Sequence, residues 1–185
     1  IWRDFGLPVA KFQEFVTGEE PLIPELDFPL FVKPAREGSG MGIDNDSTVM
    51  TEGELRKRVQ YIITTYKQPA LVETFQPGNE YTVGQIGGPH AKLFSRHPEW
   101  YDTDGFHQVP VLELDSIQAA TPGIYGYAAK AELPGEEGAP EYICPAKIEA
   151  ELERELQHIG LQAHIALGAL DVSRVDIRLD FDGKP

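Results

Sequence analysis

The chain has 185 residues, enough for one good-sized domain or two small ones sharing a ligand site. Its hydrophobic fraction of 41% and charged fraction of 25% are those of an ordinary globular protein. The net charge of −14 argues against a nucleic-acid or anionic-membrane partner, which would need a basic face. A nucleotide stays compatible, since a few local cations hold one triphosphate, and the acidic residues leave room for a divalent metal. The single cysteine, Cys144, excludes an intrachain disulfide framework and fits a reducing, cytoplasmic compartment. No apolar run approaches membrane-spanning length, and "IWRDFGLPVA" lacks a signal-peptide layout. The chain lacks an initiator methionine and starts as if inside a helix, which points to a fragment or a removed start.

In chain order, residues 7–16 read as extended after a helix end at Gly6. "FPLFVKP" (28–34) is a short buried strand stopping at Pro34. A glycine loop follows, then a helix in "TEGELRKRVQYIITTYKQ" with a Thr51/Glu54 capping box and an apolar face of Leu55, Val59, Ile62, Ile63 and Tyr66. "PALVETFQPGNEYTVGQIGG" predicts strand, turn, strand, with the turn at 76–79. Residues 97–143 are irregular, with short strand-like runs such as "VPVLEL"; such an excursion suits a binding loop or a disordered one. A helix is expected from about Ala146 to Leu167, with Ile148, Leu152, Leu156, Ile159, Ala163 and Leu167 facing the core. In the last strand Val175, Ile177, Leu179 and Phe181 alternate with Arg174, Asp176, Arg178 and Asp180. Asp182-Gly183 is a hairpin signal whose returning strand is missing, so the edge at Asp182 is expected to be exposed. The order of elements predicts an α+β fold with partly antiparallel sheets.

Three constellations carry candidate chemistry. Gly38, Ser39, Gly40, Met41 and Gly42 match neither a P-loop nor a dinucleotide fingerprint, and alone they suit a hairpin turn as well as a phosphate cover. Lys33 shifts the balance towards phosphate, because a lysine on a short apolar strand must reach a partner and the loop offers backbone N–H groups. Glu73 follows one apolar strand and Glu80 opens the next, either side of the turn. They are compatible with solvated strand ends or with a nucleotide hinge and a ribose carboxylate, and spacing does not decide. Arg174 and Asp176 share a strand face: by default a surface ion pair, in a site an oxyanion clamp and a Mg²⁺ ligand. His90, His97, His107, His158 and His164 show no metal-ligand spacing with Cys, and His158 and His164 read as helix residues.

Taken in order, "GLPVAKF", "PLFVKPAREGSGMGI", "LVETFQPGNEYTVGQIG", "YGYAAKAE", "EYICPAKI" and "LGALDVSRVDIRLDFDGKP" resemble the D-alanine–D-alanine ligase family of ATP-grasp enzymes across nearly the whole chain. The resemblance implies two α+β subdomains, here 1–76 and 77–185, that sandwich ATP between antiparallel sheets. It implies phosphorylation of one D-alanine carboxylate by ATP, attack of a second D-alanine amine on the acyl phosphate, and a place in peptidoglycan precursor synthesis. By the same resemblance Lys33, Gly38, Ser39 and Gly40 meet phosphate, Glu73, Thr74, Phe75 and Gln76 hold adenine, and Glu80 takes the ribose. Lys130 on a mobile loop covers the γ-phosphate and excludes water, Arg174 stabilises the oxyanion, Ser39 acts near the first substrate, and Asp176 holds Mg²⁺.

The chain departs from the family pattern at Gly40 and Met41, where a serine and a valine are usual, and at Ala131, where a tyrosine is usual. Those positions bear on the amino-acid substrate more than on ATP, and they favour as an alternative an ATP-grasp ligase for another amino acid or small acid. The family's second metal glutamate and asparagine fall beyond Pro185. Its N-terminal domain and a further ATP-binding lysine fall before Ile1. The chain as given is therefore expected not to ligate, which leaves a non-catalytic nucleotide-binding fragment as a reading from another class. Small-molecule amino acids are the expected partners, without nucleic acid or membrane, and with a homodimer in the full-length parent.

Overall fold

The computed structural model describes residues 1–115, 124, 126, 127, 136 and 139–185. They fall into two compact units, each discontinuous in sequence. One, here the lysine unit, comprises Ala10–Pro77 and Asp115–Glu141; the other, the arginine unit, comprises Ile1–Val9, Gly78–Leu114 and Tyr142–Pro185. A division into 1–76 and 77–185 does not express that Ile1–Val9 joins the later unit and Asp115–Glu141 the earlier one.

The lysine unit is built on a four-stranded antiparallel sheet. Its strands are β1 (Phe12–Phe15), β2 (Leu30–Pro34), β3 (Thr48–Val49) and β4 (Ala70–Thr74), in the order β1-β4-β2-β3. Alternation sorts the faces: Leu30, Val32, Ala70, Val72 and Phe15 are buried, while Phe31, Lys33, Leu71 and Glu73 lie half-buried on the other side. Helix α1 (Glu52–Tyr66) covers the buried face with Leu55, Val59 and Ile62, each 0% exposed, and Ile63 and Tyr66 pack at the margin. Fully burying a side chain of this kind stabilises by about 1.5–3 kcal/mol, so this face holds the unit together. Thr51 caps the helix, accepting from the Glu54 N–H at 3.3 Å, but the Glu54 carboxylate accepts from the Met50 N–H at 2.7 Å. The expected reciprocal box is thus shifted by one residue on the carboxylate side.

The arginine unit carries a five-stranded sheet. The central strand β5 (Glu80–Gly87) pairs antiparallel with β6 (Phe106–Gln108) and β7 (Leu112–Asp115) on one side and with β9 (Val172–Arg178) on the other; β8 (Glu141–Ile143) extends it beyond β7. Strands β4 and β5, predicted as neighbours across a turn, belong to different sheets. The short α2 (Ala91–Phe94) follows β5. Helix α3 (Ala150–Ala166) packs Leu156 and Ala163 on Val83, Val175 and Ile177. It starts four residues later than predicted, because the Ala146 N–H donates to the Val111 carbonyl at 2.8 Å and holds that stretch extended. Leu167, expected in the core, is 55% exposed: the helix has ended at Ala166, and His164 is buried instead. His158 is exposed. Phe181, past the end of β9, is likewise exposed, whereas Val175, Ile177 and Leu179 are buried. Among the described residues no helix is long and apolar enough to cross a membrane.

Candidate functional site

In the lysine unit, the antiparallel register places Lys33 opposite Leu71, so Glu73 is its diagonal neighbour on the same face. The ammonium meets the Glu73 carboxylate at 2.5 Å. The partner that a lysine on an apolar strand requires is therefore the Glu73 carboxylate near the end of β4, so the ammonium's need for a partner does not by itself point to phosphate. Past Glu73 the chain is pinned by its backbone. The Thr74 N–H donates to the Lys11 carbonyl at 2.9 Å and the Phe75 N–H to the Pro29 carbonyl at 3.2 Å. Phe75 stacks on Phe31 with ring centroids 6.3 Å apart. Gln76, between Phe75 and the unit boundary at Pro77, is half-buried.

The glycine loop follows Lys33 by five residues and winds through the left-handed region. Ser39 has φ 54°, Gly40 74° and Gly42 72°. Two tight turns close it, Met41 N–H to Gly38 carbonyl at 3.1 Å and Ile43 N–H to Gly40 carbonyl at 3.0 Å. A left-handed serine costs roughly 1–2 kcal/mol, so its surroundings must hold it there. Gly40 also touches the Gly126–Tyr127 backbone so closely that a Cβ would fall 2.8 Å from the Gly126 carbonyl carbon. The usual serine has no room at this position. Lys130 and Ala131 lie outside the described residues.

The arginine unit gathers the other candidates on one sheet face. The β5–β9 register sets Glu80 opposite Arg178, Thr82 opposite Asp176 and Gly84 opposite Arg174. Glu80 and Arg178 form an ion pair at 3.3 Å, both mostly buried, and Arg178 also donates to the Gly78 carbonyl at 3.1 Å. Burial pushes the Arg178 guanidinium below its ordinary value, and Glu80 opposes that shift. Arg174 and Asp176 pair at 3.2 Å in the open, and Thr82 donates its hydroxyl to Asp176 at 2.9 Å. Arg178 is a site neighbour missed from the sequence. It stood in the alternating charged set opposite the apolar face, and the signal was its place two residues beyond Asp176 on the same face.

Among the described residues no group of three or more His, Cys, Asp or Glu could hold a metal ion by itself. Asp176 offers one carboxylate. That suits Mg²⁺, which commonly keeps waters and takes only one or two carboxylates beside substrate phosphates.

The family model described as "D-ala D-ala ligase C-terminus" matches residues 1–185. A D-alanine–D-alanine ligase of Desulfotalea psychrophila is 32% identical over 182 residues, covering 96% of this chain and 49% of that protein. The uncharacterized protein y4sG of Sinorhizobium fredii is 31% identical over 185 residues, covering 100% and 48%. Among solved structures, the VanG D-Ala:D-Ser ligase of Enterococcus faecalis superposes with a TM-score of 0.66 at 26% identity, covering 97% of this chain and 46% of that one. A Bacillus anthracis D-alanine–D-alanine ligase superposes at 0.67 with 22% identity, covering 100% and 51%. The chain spans about half the length of the curated relatives it matches.

Proposed function

The chain belongs to the D-alanine–D-alanine ligase C-terminal family and has the α+β ATP-grasp fold of that family, and from this we propose that it is the nucleotide-handling part of an ATP-dependent carboxylate–amine ligase acting on D-alanine, in the cytoplasmic synthesis of peptidoglycan precursors. The observation that carries the reading is the match of the family model to residues 1–185, within which Lys33 stands on β2 five residues before the glycine loop. The proposed reaction passes through an acyl phosphate formed on the first amino acid. Mg²⁺ bound with ATP neutralises charge on the transferring phosphoryl group.

The residues have these roles. Lys33 neutralises phosphate charge while Glu73 keeps its ammonium in place. The backbone N–H groups of Gly38, Ser39 and Gly40 face phosphate oxygens. With the Thr74 and Phe75 amides held by the chain's own carbonyls, the Gln76 amide meets the base edge. Glu80, fixed by Arg178, accepts from ribose hydroxyls. Arg174 stabilises the oxyanion at the attacked carbon, and Asp176 supplies one metal ligand, oriented by Thr82. Lys130 adds a cation at the γ-phosphate, and Ser39 acts beside the first substrate. The full-length parent acts as a homodimer.

A second reading, another amino acid in place of one D-alanine, is favoured by Gly40, whose contact with Gly126 leaves no room for a serine side chain.

Calorimetry with Mg-ATP tests the nucleotide site. The chain is expected to bind, and Lys33→Ala to weaken binding at least about tenfold, the loss of one charge-assisted contact. Identical isotherms for the two proteins would overturn the assignment. ADP release by a protein containing this chain, measured against a panel of D- and L-amino acids, separates D-alanine from its alternatives.

A further inference from the structure

Helix α1 carries a charge where its apolar face should continue. Leu55, Val59 and Ile62 are fully buried, and Arg58, which shares their face by helical spacing, is only 6% exposed. A guanidinium is buried at such a position only if polar groups receive it. Three do, and all lie at the exit of the glycine loop. Arg58 donates to the Gly42 carbonyl at 2.8 Å, to the Ser47 hydroxyl at 2.9 Å and to Asp44 at 3.0 Å. Its Cζ lies over the Tyr61 ring, 5.0 Å from the centroid. Ser47, itself 0% exposed, accepts in turn from the Asp44 N–H at 3.0 Å, so the receiving groups are tied to one another.

The same loop exit is wedged against the residue after the site lysine. A Cβ on Gly42 would fall 2.6 Å from Pro34 Cγ and 3.0 Å from the Tyr66 ring. Ser39, left-handed at φ 54°, is held at a cost, and Gly40 and Gly42 leave the backbone free to take other courses, so the loop's path needs an outside fastening. We propose that Arg58 is the positioning residue of the glycine loop. It fastens the loop's exit to α1, so that the Gly38–Gly40 amides are held at a set place relative to Lys33. The proposal rests on the nucleotide reading for its functional consequence, not for the bracing itself.

The test combines two measurements on wild type, Arg58→Met and Arg58→Lys. In hydrogen exchange without ligand, Arg58→Met is expected to speed the Met41 and Ile43 amides about tenfold while β2 and β4 amides stay protected. In binding, Mg-ATP affinity is expected to fall about tenfold and adenosine affinity to stay unchanged, because adenosine offers no phosphate to the loop. Arg58→Lys, which keeps charge but not the fork, recovers only part. Ser47→Ala removes one acceptor with little change of volume and gives the same pattern at smaller size if Arg58→Met does not fold. Unchanged loop exchange, or equal weakening of ATP and adenosine with uniform loss of protection, would overturn the proposal. If wild type binds no ATP the nucleotide reading fails, and the exchange data alone decide whether Arg58 positions the loop.

Discussion

Gly40 and Gly126 meet backbone to backbone. A Cβ on Gly40 would lie 2.8 Å from the Gly126 carbonyl carbon, and a Cβ on Gly126 would lie 2.7 Å from the Ile43 carbonyl oxygen. Two glycines therefore let two chain segments touch where side chains would part them. Gly40→Ser is expected to destabilise the lysine unit by about 1–2 kcal/mol through its φ of 74° alone, with the displaced segment adding to it. Gly38→Ser, where a Cβ meets nothing within 4 Å, serves as the control and is expected to be near neutral. Urea midpoints of the two variants decide; equal midpoints would show that neither the left-handed backbone at Gly40 nor its contact with Gly126 costs stability in the serine variant.

The Lys33–Glu73 pair predicts a separation of stability from binding. Its side chains are 32% and 22% exposed, so solvent screens part of their attraction. Lys33→Met is expected to cost no more than about 1 kcal/mol in chemical denaturation, while Mg-ATP binding is largely lost. A large stability loss together with retained binding would reverse the assigned role from ligand contact to structural pairing.

Glu80 and Arg178 make the opposite case. Arg178 is already held below its ordinary pKa by burial, and removing the facing carboxylate leaves its charge less compensated. Glu80→Gln is expected to destabilise the arginine unit by about 1–2 kcal/mol, and the double variant with Arg178→Met to recover part of that loss. Simple additivity in the double-mutant cycle would show that the two groups do not couple.

Glu20 gives a pH dependence with a definite sign. Backbone N–H bonds, Thr17 first and also Val16, hold its carboxyl down at about 2 against an ordinary 4.5. Its Oε1 accepts from Val16 and Thr17 at 2.9 and 2.8 Å, and Oε2 from Gly18 at 2.8 Å. Because the folded value is depressed, the contribution is present above about 4.5 and lost as pH falls towards about 2. The stability difference between wild type and Glu20→Gln, followed by urea denaturation from pH 7 downwards, is expected to shrink across that window. A constant difference would mean that the carboxylate charge contributes nothing.

The parts of the fold legible in the sequence are those set by local periodicity. Leu55, Val59 and Ile62 announce α1, Val175 and Ile177 announce β9, and Lys33 stands out because nothing else on its strand is charged. What escaped depends on distant partners. The start of α3 is decided by Val111, and the membership of β4 and β5 in different sheets is decided by strands far along the chain. Arg58 was not singled out in the sequence. Its spacing from Leu55 and Ile62 put it on the core face, but only the positions of Gly42, Asp44 and Ser47 explain why a charge belongs there.

The interleaving of the two units has a consequence for how the chain is made. Ala10–Pro77 contains all four strands of its sheet and the helix that covers them, so this part can gather as it is synthesised. The arginine unit cannot. Its β5 waits for β9, and Trp2, whose indole N–H donates to the Ala163 carbonyl at 3.3 Å, waits for a partner 161 residues downstream. Closing so long a loop makes that unit the slower one to assemble. The backbone passes from one unit to the other at 9–10, 77–78, 114–115 and 141–142. A single nick anywhere in the chain therefore leaves the two units covalently joined.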